Sequence, residues 1–354
     1  MTDTAKQTRQ LRAALLREQR ELRAANRAMA VVLESPEHLS RAEVANVLGN
    51  WLDPRGVDFH AFRRKREEDY LHPRLWRYWR TVPARGRIGV YVNGWYTGTL
   101  LANDGPRLSE EDTEHLARLR LLEGQLMREG VSVLKLWLTR SAIAQHQAIE
   151  KARPDNGGHW QAEPTDEQLL AHRDTLVQRA DILMDHTNAP TGWLSVDCDD
   201  PVERDLTVGR LLLKAMREAR ETDPEIDAPS SDRLTKETPA PLSELCTHPS
   251  LSKADYKAQL NAELDRLKHL TWKAFDAGRS PVLVFEGFDA AGKGGVIRRM
   301  LQGIDARLVS VVPIGAPNSE ELRYPYLWRF WREIPRAGDT AIFDRSWYGR
   351  VLVE

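Results

Sequence analysis

The spacing of apolar positions changes several times along the chain, and each change marks an element. Over residues 5–28, Leu11, Leu15 and Leu22 recur at helical intervals among Ala, Arg and Glu, with no Gly or Pro, which predicts an amphipathic helix. Val31, Val32 and Leu33 then read as a short strand. Further strands are predicted over residues 88–92, 131–138 and 193–196, with helices over 111–129 and 166–185. Strands alternating with helices argue for a parallel sheet flanked by helices. From Glu221 to about Ser250 this rhythm gives way to Pro, Ser, Thr and acidic residues, so residues 224–250 are expected to form a linker. Beyond it, Val282, Leu283, Val284 and Phe285 predict a strand buried on both faces.

That strand feeds a glycine-rich turn. The spacing Gly287-x-x-x-x-Gly292-Lys293 matches a P-loop, in which backbone N–H groups at a helix N-terminus bind phosphate oxygens and the lysine adds a mobile positive charge. The usual hydroxyl residue after the lysine is replaced by Gly294 and Gly295, which offer no side chain to a magnesium ion. Asp289, inside the loop, is the expected substitute. A second strand, residues 340–344, is apolar and ends in the carboxylate Asp344, as a Walker-B metal site should.

The chain also repeats itself. His72-Pro-Arg-Leu-Trp-Arg-Tyr-Trp-Arg80 lies over Tyr324-Pro-Tyr-Leu-Trp-Arg-Phe-Trp-Arg332, an offset of 324 minus 72, or 252 residues. Without a gap, that offset pairs Pro83 with Pro335, Gly86 with Gly338, Trp95 with Trp347, Asp53 with Asp305 and Glu34 with Glu286. Two copies of one α/β fold are therefore expected in tandem. Opposite Gly287, Asp289, Gly292, Lys293 and Gly294 stand Ser35, Glu37, Ser40, Arg41 and Ala42, and Pro36 lacks a backbone donor. Opposite Asp344 and Arg345 stand Val92 and Asn93. Residues 1–223 thus read as a degenerate, non-catalytic copy and residues 251–354 as the catalytic one.

Composition narrows the classes. The chain has 354 residues, 41% of them apolar, enough for two ordinary cores. Lys and Arg number 51 against 52 Asp and Glu, so no global basic field points to nucleic acid, and an anion site has to be local. No apolar run approaches the ~18 residues of a membrane span. Cys198 and Cys246 fit neither a disulfide framework nor a metal-ligand spacing, which suggests a reducing cytoplasm.

Gly287-Phe-Asp-Ala-Ala-Gly-Lys-Gly-Gly295, together with Phe343-Asp-Arg-Ser-Trp-Tyr-Gly-Arg-Val-Leu-Val-Glu354, resembles the family-2 polyphosphate kinases. The tandem layout is similar to the family's two-domain polyphosphate:AMP phosphotransferases. Gly349 departs from single-domain members, which commonly carry Asn there. The resemblance implies a P-loop kinase-like fold and transfer of a terminal phosphoryl group from inorganic polyphosphate to AMP, giving ADP, with magnesium. It casts Asp289, Lys293, Asp344 and Arg345 as catalytic, with Asp289 and Asp344 on the metal. Gly287, Ala290, Ala291, Gly292, Gly294 and Gly295 hold phosphate through their amides, and Arg298 and Arg299 are candidates for the polyanion. Arg323, Arg329, Arg332 and Arg336 read as structural. An ATP-dependent nucleoside monophosphate kinase and a non-catalytic scaffold are the alternatives, and a homo-oligomer is left open.

The first copy runs about 120 residues beyond the point matching the chain's last residues, so a complete tandem protein is expected at ~475 residues, with the second copy truncated before its lid and last strands. On that expectation residues 1–354 alone are weakly active or inactive. Robust ADP formation from AMP by the purified chain overturns it.

Overall fold

Parallel strands joined by helices run through the described chain, which in this computed structural model comprises residues 3–62, 67–102, 105–152, 164–221, 251–288 and 290–349. The expected linker at 224–250 lies outside the described residues, as does Asp289. In chain order come α1 (Asp3–Ala24), β1 (Ala28–Glu34), α2 (His38–Trp51), β2 (Val57–Ala61), α3 (Glu67–Tyr70), α4 (Trp76–Trp79), β3 (Ile88–Val92) and α5 (Thr97–Leu100). They are followed by α6 (Glu110–Arg128), β4 (Val131–Thr139), α7 (Ala142–Ala152), α8 (Pro164–Ala171), α9 (Arg173–Thr187), β5 (Trp193–Asp197) and α10 (Pro201–Glu221). The later part carries α11 (Lys253–Asp276), β6 (Val282–Phe285), α12 (Lys293–Met300), β7 (Val309–Pro313), α13 (Trp328–Trp331) and β8 (Thr340–Asp344).

Two compact units form. The first draws on Met1–Lys65, Arg77–Glu225 and Glu321–Tyr326, the second on Arg66–Trp76, Ile226–Glu320 and Leu327–Glu354. In the first, five parallel strands stand in the order β2-β3-β1-β4-β5. Side chains alternate across a strand. Met29, Val31 and Leu33 of β1 and Leu134, Leu136 and Leu138 of β4 therefore share one core with Leu15 and Leu22 of α1, Val44 and Leu48 of α2, and Leu212 and Met216 of α10. Lys135 has the opposite parity and points to the other face, where Glu123 of α6 and Thr187 of α9 receive it. α6 starts where it does because Ser109 accepts from the Asp112 N–H while the Asp112 carboxylate accepts from the Ser109 N–H.

In the second unit three parallel strands stand in the order β6-β8-β7. Ile342 of the middle strand packs with Ile297 of α12, Ile304, Leu267 of α11, Leu283 and Phe285. Phe343, on the opposite face, meets Trp347, their ring centroids 5.6 Å apart.

The repeat read from the sequence is a repeat of structure. β2 and β7, and likewise β3 and β8, begin 252 residues apart, and the order β2-β3-β1 recurs as β7-β8-β6. The ion pair Asp53–Arg55 recurs as Asp305–Arg307. Left-handed backbone recurs at Asn26 and Gly278, Gly86 and Gly338, and Asn93 and Arg345.

Four expectations need correction. The first helix stops at Ala24 rather than near 28, because Asn26 turns left-handed at φ 56° and feeds β1, which spans seven residues rather than three. The helix expected over 166–185 is two, broken at His172, whose ψ of 12° departs from helical values. β6 is not buried on both faces: Val282 is 38% exposed. Among the described residues β6 pairs on one side only, whereas its counterpart β1 lies between β3 and β4 and is buried throughout.

Lys135 and Glu123 are fully buried and 2.9 Å apart; the ammonium also donates to the Thr187 carbonyl and lies 5.2 Å from the Trp193 ring centroid. Glu123 accepts from the Tyr96 hydroxyl and the Trp95 indole as well. Lys135→Met would strand that carboxylate in the interior and is expected to cost about 3–5 kcal/mol, whereas the double variant with Glu123→Gln should lose less. Urea denaturation of the three proteins checks the order.

Candidate functional site

The site is built where β6 and β8 end together. Phe285 and Asp344 are paired neighbours in register, and Pro313 of β7 pairs with Asp344 from the other side. Parallel pairing thus delivers the glycine loop after β6 and the carboxylate after β8 to the same edge of the sheet, the edge where open α/β sheets place ligands.

The loop's shape follows from its glycines. Gly287 has φ 155° and Gly292 φ 90°, backbone conformations that a side chain resists, and Gly292 is the residue from which α12 departs. No side chain caps α12 and no acidic residue lies in its first turn, so the first-turn amides and the positive end of the helix dipole are offered to an anion. Gly294 is neither left-handed nor crowded: a Cβ added there would meet nothing within 4 Å. Glycine at this point keeps space open in front of the amides. Lys293 Nζ arches back over the loop and donates to the carbonyls of Gly287 at 2.7 Å and Phe288 at 2.9 Å. An ammonium has three donors.

Asp344 is half-buried at the end of β8. The next residue, Arg345, holds φ 67°, with its N–H donating to the Phe285 carbonyl at 2.9 Å. Left-handed backbone at a non-glycine residue costs of order 1 kcal/mol and, observed at a sheet edge, points to a constraint worth keeping. Ser346, almost fully buried, donates its hydroxyl to Glu286 Oε1 at 2.6 Å and accepts from the Tyr348 N–H at 3.2 Å.

Of the residues singled out from the sequence, Gly287, Ala290, Ala291, Gly292, Lys293, Gly294 and Gly295 lie on the loop and the start of α12. Asp344 and Arg345 lie at the adjoining strand end, and Asp289 lies outside the described residues. Arg298 and Arg299 sit exposed near the far end of α12. Arg329 is largely buried, donates to the Gly315 carbonyl and stacks on Phe330, and Arg332 lies over Trp328. The Glu286–Ser346 pair was not anticipated, although the replacement of Ser346 by Gly94 in the repeat was its available signal. Among the described residues no group of three or more His, Cys, Asp or Glu could hold a metal by itself.

The equivalent place in the first unit is filled. Arg41, at the position of Lys293, is completely buried and donates to the Ser35 carbonyl at 2.9 Å, as Lys293 does to that of Gly287. Glu37, at the position of Asp289, takes the Ser40 hydroxyl and faces the Arg140 guanidinium at 3.3 Å. Arg140 and Arg204 both reach Glu43. Burial pushes the Glu37 carboxyl upward despite the Arg140 and Arg41 guanidinium groups.

The chain matches the Polyphosphate kinase 2 family over residues 1–224 and 250–354. It belongs to that family. Within the polyphosphate kinase 2 family it is 36% identical, over 97% of its own length and 70% of the relative's, to a polyphosphate:AMP phosphotransferase of Pseudomonas syringae pv. tomato. It is 31% identical, over 93% of its length and 66% of the relative's, to one of Acinetobacter johnsonii. A crystal structure described as polyphosphate kinase 2 from Pseudomonas aeruginosa PA01 superposes with a TM-score of 0.83 at 34% identity, covering 100% of this chain and 71% of that one. The α/β fold with parallel sheets flanked by helices is thus the fold of a polyphosphate kinase 2.

The filled first site makes stability depend on pH. Burial pushes the Glu34 carboxyl from 4.5 up to about 7, outweighing Arg41 and the Thr97 hydroxyl that donates to it. A carboxyl raised in the fold contributes stability that is complete below about pH 4.5 and is lost as pH rises through about 7. Wild type should therefore lose more of its urea midpoint between about pH 5 and about pH 8 than Glu34→Gln, which keeps the acceptor and does not titrate. Equal losses would count against this assignment.

Proposed function

We propose that the chain transfers the terminal phosphoryl group of inorganic polyphosphate to AMP, at the glycine loop of the second unit. The observation that carries this reading is the match, along nearly the whole chain, to relatives named polyphosphate:AMP phosphotransferase. The geometry of the loop supports it. A phosphate oxygen of AMP forms a bond to the terminal phosphorus while the bridging P–O bond breaks, leaving ADP and a polyphosphate one unit shorter. Such a transfer asks the protein for positioning and charge neutralisation rather than covalent chemistry. The amides of Gly287, Ala290, Ala291, Gly292, Gly294 and Gly295 would receive phosphate oxygens, with Lys293 moving between the loop carbonyls and the transferred group. Arg345 would oppose the charge that develops at the reacting oxygens, and Arg298 and Arg299 would meet more distant phosphates.

The donor set fits magnesium, which takes one or two carboxylates and completes its shell with substrate phosphates and water. Asp344 would hold it from the strand end and Asp289 from the loop. Bound there, the ion would neutralise phosphate charge.

The first unit is read as non-catalytic, because Arg41, bonded to the Ser35 carbonyl, and Glu37, paired with Arg140, are buried where the second unit offers its donors outward. Among the described residues no helix is long and apolar enough to cross a membrane. We assign the enzyme to the cytoplasm because Cys198 and Cys246 fit neither a disulfide framework nor a metal-ligand spacing.

Full-length protein given AMP with either polyphosphate or ATP as sole donor should form ADP from polyphosphate. ADP from ATP alone would make it a nucleoside monophosphate kinase, and ADP from neither a scaffold. Lys293→Ala and Asp344→Asn should each lower the polyphosphate-driven rate by about 10²–10³-fold.

A further inference from the structure

We propose that Glu286 and Ser346 are positioning residues: their hydrogen bond locks the glycine loop to the loop after β8 and so sets Lys293 against Asp344 and Arg345. The proposal deepens the phosphoryl-transfer reading and rests on it.

Glu286 is the last residue before the glycine loop, and Ser346 follows Asp344 by two. Their bond, 2.6 Å from Oγ to Oε1, therefore joins the two segments that carry the proposed chemistry. Ser346 is held in turn by the Tyr348 N–H, which donates to its hydroxyl. Arg345 lies between, anchored by its own N–H on the Phe285 carbonyl. The strained backbone of Arg345 is thus pinned on both sides.

The first unit serves as an internal control. Glu34 occupies the place of Glu286, and Gly94 that of Ser346. A Cβ built on Gly94 would lie 3.3 Å from Glu34 Oε1, so the side chain at this position points at the glutamate in both units. With no hydroxyl there, Glu34 Oε1 is buried without a hydrogen-bond partner, and Thr97 serves the other oxygen. Leaving a buried acceptor unmatched costs about 1–3 kcal/mol. The first sheet nevertheless keeps its strand order and the left-handed residue Asn93. The fold therefore does without this bond, and the bond is present in the unit whose loop is open to phosphate. A carboxylate beside a phosphate loop would otherwise repel its ligand. Holding it to a serine turns it toward the protein.

The test uses the full chain and two readouts. Ser346→Ala should lower kcat for ADP formation about tenfold with KM within about twofold, since the groups that bind remain but are misaligned. Ser346→Thr, which restores a hydroxyl, and Glu286→Gln, which retains an acceptor, should return kcat to within about threefold of wild type. The second readout is amide hydrogen exchange over residues 344–349, where Ser346→Ala should speed exchange about tenfold by removing the acceptor of the Tyr348 N–H. Glu286→Gln as inactive as Glu286→Ala would overturn the proposal, because the charge itself would then be at work. Ser346→Ala with kcat and exchange unchanged would overturn it too. Should full-length wild type form no ADP from polyphosphate, the functional reading fails by itself, and exchange alone then decides whether the two loops are locked.

Discussion

Everything at the candidate site depends on one pairing, that of β6 with β8 in parallel register. Phe285 stands beside Asp344, so the loop that follows one strand and the carboxylate that ends the other leave the sheet together. An antiparallel partner would have sent them to opposite edges. Parallel pairing needs a crossover helix, and α12 supplies it while presenting its N-terminus to the same edge. The electrostatics of the site are a by-product of that connectivity: amides, dipole and lysine gather at one point because the chain has no other way to continue.

The two units separate what the fold requires from what the chemistry requires. Both keep three parallel strands in the same order, the Asp–Arg pair before β2 and β7, and left-handed backbone at Asn93 and Arg345. They part at the loop. The second unit leaves donors facing solvent and open space beside Gly292 and Gly294, while the first closes the same place with Arg41, Glu37 and Arg140. An open cradle exposes polar groups to a ligand, and a filled one occupies that place with its own side chains.

Much of this was legible in the sequence, and the exceptions have physical reasons. The strands over 88–92, 282–285 and 340–344 coincide with β3, β6 and β8, since compact apolar runs bounded by turn residues are hard to misread. The strands β2 and β7 passed unnoticed. Val57-Asp-Phe-His-Ala is an edge strand in which only Val57 is buried, so its apolar signal is thin. β6 is exposed on the side where its counterpart β1 pairs with β4, a neighbour that β6 does not have among the described residues. Gly287, Gly292 and Lys293 announced themselves by spacing, whereas the link from Glu286 to Ser346 spans sixty positions and shows only when β6 and β8 are side by side.

The buried arginine in the first unit also has a historical consequence. Arg41 is fully enclosed, with Glu34 at 3.7 Å, and Glu37 nearby is matched to Arg140. Restoring the second unit's pattern would take Ser35→Gly, Glu37→Asp, Ser40→Gly and Arg41→Lys together, and Pro36 would still withhold an amide from the loop. A working cradle is therefore several simultaneous changes away. Loss of phosphate binding in one half of a duplicated chain acts as a ratchet, and selection on the other half cannot be relieved by recovery of the first.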